Sequence, residues 1–168
     1  SEPAQVKQQT SEGRADPEKR AWLLFGLGLC FYLLTRFVGL DRFPIYFFSD
    51  EAIQTMSAVD LIGRGFKDLD GSLFPVYFQN GSQYNLSLSV WLQVLIAWLP
   101  RSVWLTRGLP ALISLVFPIS AALWAKDFFK AKFWWLVPLV VAVIPAWFLH
   151  SRTAFETSLG ASFFCLFL

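Results

Sequence analysis

The chain is poor in the residues that build metal centres and disulfide scaffolds: it has 2 cysteines, 1 histidine and 1 methionine. Cys30 and Cys165 both lie inside apolar runs, where a thiol behaves as a small hydrophobe. No disulfide is expected, and the cysteines imply no compartment. His150 stands alone, so no histidine pair has metal-ligand spacing. Charge is scarce as well, at 15% of residues with a net of +2. That balance offers no basic surface for a polyanion and excludes nucleic acid as a partner. There is no internal repeat and no low-complexity tract.

What fills the chain instead is apolar and aromatic. Hydrophobic residues make up 55% and aromatics 18%, and the mean hydropathy is +0.49. These values exceed those of a soluble domain and predict an all-α integral membrane protein with several crossings. Residues 1–20 are polar and mixed in charge, which predicts a disordered cytoplasmic tail. The run 21–40 has the length to cross about 30 Å of hydrocarbon as a helix. Thr35 and Arg36 follow it with no small-residue cleavage site, so it reads as a retained anchor rather than a signal peptide, with Arg36 snorkelling to the interface.

The basic residues orient the rest. Lys126, Lys130 and Lys132 form the densest cluster after Lys19 and Arg20, and the positive-inside rule places both clusters in the cytoplasm. An even number of crossings must separate them. We therefore expect spans at 21–40, 105–125 and 133–149, a further helix from about 154, and an extracytoplasmic loop over 41–104 in a cell-membrane protein. The apolar run ends inside a span at Leu168 and the chain starts without methionine, which reads as the amino-terminal part of a longer protein.

Two segments of the loop read as interfacial amphipathic helices. In 86–100 and the residues leading into it, Ser82, Asn85, Ser89 and Gln93 recur at helical spacing against Leu88, Trp91, Leu92 and Leu95. In 49–63, Asp50, Gln54 and Ser57 oppose Ile53, Met56 and Val59, with Ser49 as N-cap and Gly63 and Gly65 as the stop. Between them, 67–82 is rich in turn residues and reads as loop.

The candidate reactive residues all fall on the loop side. Asp50 and Glu51 open the first loop helix, Arg107 heads the returning span, and Arg152 and Glu156 follow the third. Each has a plainer explanation. Acids in a first helical turn are favoured by the dipole, interfacial arginines anchor helices, and Arg152 with Glu156 has the spacing of an intrahelical ion pair. A divalent metal among Asp50, Glu51, His150 and Glu156 is conceivable, but no spacing requires one.

The ordered set Asp50-Glu51-Ala52, Leu61-Ile62-Gly63-Arg64-Gly65, Asp70-Gly71-Ser72-Leu73-Phe74-Pro75, Thr106-Arg107-Gly108-Leu109-Pro110 and Ser151-Arg152-Thr153-Ala154-Phe155-Glu156 resembles the amino-terminal part of the GT-C membrane glycosyltransferases. The likeness is to the protein O-mannosyltransferase and aminoarabinose-transferase superfamily, and it runs from about residue 21 to the end. It implies inverting transfer of a sugar from a polyprenyl-phosphate carrier to a hydroxyl of a protein, lipid or glycan. It further implies Asp50 as general base, partly desolvated at the interface, Glu51 as its positioner or a metal ligand, and Arg107 and Arg152 as neutralisers of the lipid phosphate, with Glu156 in the substrate site. Ile53 and Tyr84-Asn85 depart from the positions that mark aminoarabinose and mannose enzymes, so no donor sugar carries over. A transporter or channel, with these charges along a solute path, is the competing expectation.

Overall fold

The computed structural model describes residues 16–80 and 82–168, and they are mostly helical. Residues 1–15, most of the expected tail, lie outside the described residues. Helix α1 (Pro17–Phe37) starts four residues earlier than the predicted span. Asp16 caps it by accepting the Glu18 amide at 3.1 Å, and Pro17 supplies a first position that needs no N–H. The helix ends where Val38 turns extended and Gly39 takes φ +63°, a conformation that costs glycine little.

Helix α2 (Ser49–Gly63) matches the expected bounds, but its cap differs. Ser49 lies inside the helix, and Glu51 reaches back to accept the Phe48 amide at 3.1 Å. The predicted loop contains a β-hairpin of β1 (Tyr77–Asn80) and β2 (Gln83–Leu86), antiparallel and registered Phe78 to Asn85. Helix α3 (Ser87–Val94) covers only the first half of the expected helix, and turns carry the chain on to Leu99.

The second apolar run forms α4 (Val103–Ile113) and α5 (Val116–Asp127), with Pro110 inside α4 and a turn at Ser114 between them. The third is broken further, into a 3-10 turn (Trp134–Leu136), α6 (Val137–Val143) and α7 (Pro145–His150). Ile144 is extended because the residue before a proline is driven out of the helical region. Helix α8 (Glu156–Phe167) follows.

The runs α1, α4–α5 and 134–150 alternate in direction. At one end Lys126 of α5 meets Glu18 of α1 at 3.6 Å. At the other, the Phe37 and Trp104 rings lie 5.8 Å apart. The segment between them leaves from and returns to that second end, where Glu51 meets Arg107 and Gln93 meets Thr106. Midway, Pro138 Cβ comes within 3.4 Å of where a Cβ on Gly28 would stand, so α1 and α6 pack in near backbone contact. Tyr32 is fully buried between them, with its hydroxyl 2.8 Å from Ser114 Oγ and accepting from Trp147 Nε1 at 2.9 Å. That junction closes the gap left by the α4–α5 break. Two helical stretches, Pro17–Phe37 and the α4–α5 run Val103–Asp127, are long and apolar enough to cross a bilayer.

Polarity runs from inside to outside. Buried polar side chains include Gln54, Ser89, Gln93, Ser114, Ser158 and Ser162, whereas Leu23, Leu27, Leu34, Val38, Phe164 and Phe167 are exposed. The expected amphipathic helices show it in part, since Ala58, Leu61 and Val90 bury an apolar cluster between them. Ser89 and Gln93 of α3 face inward while Leu88 faces out, and on α2 Gln54 is buried while Met56 is exposed. Arg36, expected to snorkel outward, is completely buried instead.

Candidate functional site

Glu51 and Arg107 form the centre of the loop-side end. Glu51 is 0% and Arg107 1% exposed, and they meet as a two-point ion pair, Nε to Oε1 and Nη2 to Oε2, both at 2.9 Å. The remaining carboxylate positions accept backbone amides, Phe48 onto Oε2 and Ala154 onto Oε1 at 2.9 Å. Arg107 uses its other N–H groups on carbonyls of the α1–α2 connection: Leu40 at 3.2 Å, Pro44 at 3.0 Å and Tyr46 at 2.7 Å. Four separate stretches of chain are thus tied at one ion pair.

Arg152 does similar work nearby. Nε and Nη2 both donate to the Phe43 carbonyl at 3.2 and 3.0 Å, Nη2 donates to Val38 at 2.9 Å, and Nη1 donates to Thr35 and Arg36. These include the last carbonyls of α1, which have no partner within their own helix. Arg152 lies before α8 begins, so the intrahelical pair with Glu156 does not form. Arg36 in turn donates to the Ala142 and Val141 carbonyls at the end of α6, each at 3.3 Å, while its Nε has no partner. Burial, then the neighbouring charges of Arg36 and Arg107, pushes the Arg152 guanidinium below its ordinary pKa.

These contacts define what the two arginines do in this arrangement. Every N–H of Arg107 and of Arg152 is directed at the protein's own carboxylate or carbonyls, so neither guanidinium has a donor to offer a phosphate in this arrangement. Both are positioning residues here. The periodic pattern could not reveal this, because the partners of Arg152 lie more than a hundred residues away in sequence.

Asp50 contrasts with its neighbour. It is exposed, not partly desolvated as expected, and among the described residues nothing hydrogen-bonds or ion-pairs with its carboxylate. Its place is fixed all the same, because Glu51 anchors the first turn of α2. Glu156 stands half-buried at the first turn of α8, where Ser89 Oγ donates to it at 3.3 Å. The Phe48 and Phe155 rings, 5.3 Å apart, hold the starts of α2 and α8 together. Among the described residues, no three His, Cys, Asp or Glu side chains group closely enough to hold a metal ion.

Sequence reasoning singled out Asp50, Glu51, Arg107 and Arg152, and of these the structure joins Glu51 directly to Arg107. It missed the structural role of Arg36, although a charge inside an apolar run was the available signal. It also missed the buried amide of Gln93, which donates to the Thr106 carbonyl at 2.9 Å. Comparison with protein-family models, with curated proteins and with solved structures found no match to this chain.

Proposed function

We propose that this chain is part of a multi-pass membrane glycosyltransferase that moves a sugar from a polyprenyl-phosphate donor to a hydroxyl acceptor on the extracytoplasmic face, with Asp50 as general base. The observation that carries this reading is the separation of two adjacent carboxylates. Glu51 is buried, neutralised and fully hydrogen-bonded, while Asp50 is exposed, unpartnered and held on a rigid helix start. Neighbouring acids in opposed environments take opposed roles, one for architecture and one for proton transfer.

The membrane part rests on the inverted polarity described above. In water, an outer surface rich in Leu, Phe and Trp around buried Ser, Gln and Arg would be unfavourable, whereas lipid accepts the first and forces the second inward. The reactive end then lies opposite Lys126, Lys130 and Lys132, with the amino terminus cytoplasmic.

In the proposed reaction the acceptor oxygen attacks C1 of the sugar and its proton passes to the Asp50 carboxylate. The C1–O bond to the phosphate breaks, and polyprenyl phosphate leaves with the bonding pair. Arg107 and Arg152 hold α2, α4 and the α1–α2 connection in register, so that Asp50 stays aimed. The test is transfer by membranes containing the full-length protein, wild type against Asp50→Asn, with a panel of labelled polyprenyl-phosphate sugars. General-base loss should lower turnover by about 10²–10⁴-fold. The melting temperature should shift only slightly, because among the described residues Asp50 makes no hydrogen bond or ion pair and its charge at the helix start contributes about 0.3–1 kcal/mol. Unchanged turnover removes Asp50 from the chemistry.

A further inference from the structure

A groove of about 520 Å³ opens on the outer surface where α1 ends. Leu34, Val38, Phe43 and Phe148 wall it, and Arg42 and Arg152 lie at its head. Its charge is unbalanced. Arg36 and Arg152 are buried beside it with no carboxylate partner, and both guanidinia sit over the same Phe148 ring, at 5.1 and 5.0 Å from its centroid. Among the described residues, Arg107 alone of these three arginines has a counter-ion, Glu51. Arg42 is exposed, and among the described residues no hydrogen bond or ion pair engages its guanidinium.

Helix C-terminal carbonyls offset part of the buried charge, since Arg36 and Arg152 cap α6 and α1. Arg42 has no such offset. It projects at the mouth of a cleft whose floor is already positive and whose walls are apolar, and Leu34 and Val38 are 61% and 70% exposed along the helix below it. A ligand complementary to this surface has an anionic head and a hydrocarbon tail running along α1. A guanidinium can meet phosphate oxygens bidentately, and lipid is the phase the outer surface of α1 suits.

We propose that this groove binds a single anionic phospholipid, with its phosphate on Arg42 and its tail along Leu34, Val38 and Phe148. The inference rests on the membrane reading above, but not on Asp50 or on catalysis. It also supplies what Arg107 and Arg152 lack, an arginine with free donors near the loop-side end.

The test uses the membrane-extracted protein in nanodiscs of phosphatidylcholine with or without phosphatidylglycerol, followed by native mass spectrometry of the lipid that stays bound. Wild type should retain phosphatidylglycerol over phosphatidylcholine. Arg42→Gln should cut that retention about tenfold, as expected for losing a charge-assisted contact, and Arg42→Lys should restore most of it. Arg64→Gln, an exposed cation beyond the far end of α2, should leave retention as in wild type. Should Arg42→Gln fail to fold, Val38→Trp fills the groove from an exposed position and must displace the lipid. Equal retention by wild type and Arg42→Gln, no preference for the anionic lipid, or retention unaffected by Val38→Trp each overturns the proposal. Lost lipid selectivity with turnover still dependent on Asp50 refutes the groove alone, and a fully active Asp50→Asn that keeps its lipid refutes the catalytic reading alone.

Discussion

At one end of the helical array, Lys126 lies 27% exposed, 3.6 Å from a Glu18 that is itself 67% exposed, with the Trp22 ring centroid 4.4 Å from its ammonium. At the other end, Arg36, Arg107 and Arg152 are at most 2% exposed and bind the chain's own carbonyls. The same kind of charge has two different uses. The lysine stays hydrated, and its neighbours in space are conveniences of a surface. The arginines replace water as the partner of helix ends and loop carbonyls, which need donors wherever water is excluded. A planar five-donor group suits that work better than a point ammonium. The irregular connection between α1 and α2 can therefore sit against the helices instead of being solvated, and it carries Asp50 with it.

The sharpest way to break the comparison is to remove one member of the Glu51–Arg107 pair. Leaving a buried charge without its partner costs about 3–5 kcal/mol, and the stranded carbonyls of Leu40, Pro44 and Tyr46 add to that. Arg107→Ala and Glu51→Ala should each lower the melting temperature of the detergent-extracted protein severely, or prevent its accumulation. Arg107→Lys should rescue little, because one ammonium cannot reach both carboxylate oxygens and three carbonyls. A melting temperature near wild type for Arg107→Lys would reduce the network to simple charge.

The matching change at the opposite end should be mild. Exposed ion pairs contribute about 0.2–1 kcal/mol, and the high exposure of Glu18 puts this pair toward the bottom of that range. Lys126→Ala should shift the melting temperature by no more than a small fraction of the Arg107 effect. If the two losses were similar, hydration would not be what distinguishes the ends.

The sequence exposed these two ends unequally. Apolar run length located α1 and the α4–α5 stretch to within a few residues, because a bilayer-length hydrophobic stretch is a local property. The breaks at Ser114 and Ile144 each had a proline as their signal: Pro118 cannot donate to the Ser114 carbonyl four residues earlier, and Pro145 drives Ile144 extended, while Tyr32 takes up the Ser114 carbonyl and hydroxyl left over. The hairpin of β1 and β2 was passed over as loop, although Gly81-Ser82 between two short runs with Tyr and Phe was its signal. Asp50 and Glu51 stood out as a pair, yet nothing local says which is buried. That depends on Arg107, 56 residues on, and on the Ala154 amide. For α3 the periodicity was legible and its direction was not. The helical stripe of Ser89 and Gln93 is real, but it is buried, while Leu88 and Leu95 are exposed and Trp91 packs half-buried on Phe66, because the surroundings and not the pattern decide which residues are hidden.

A finer division exists within the loop-side end, between the arginine network and turns held by neighbours in sequence. Asp70 is the clearest of the latter. Its carboxylate accepts the Ser72 hydroxyl at 2.7 Å and the Ser72 amide at 2.9 Å, and these bonds, the hydroxyl's first, hold its pKa below the ordinary aspartate value. A group depressed in the folded state stabilises that state above its unfolded pKa, and the contribution disappears as pH falls through the folded pKa. Acidification should therefore release the turn at 68–72. Two-dimensional NMR should show the Ser72 amide shift titrating below the ordinary aspartate range, with Asp70→Asn abolishing that titration and leaving the Ala154 amide unmoved. Joint movement of Ser72 and Ala154 would mean that the turn and the network are one cooperative unit, and the local character assigned to Asp70 would fall.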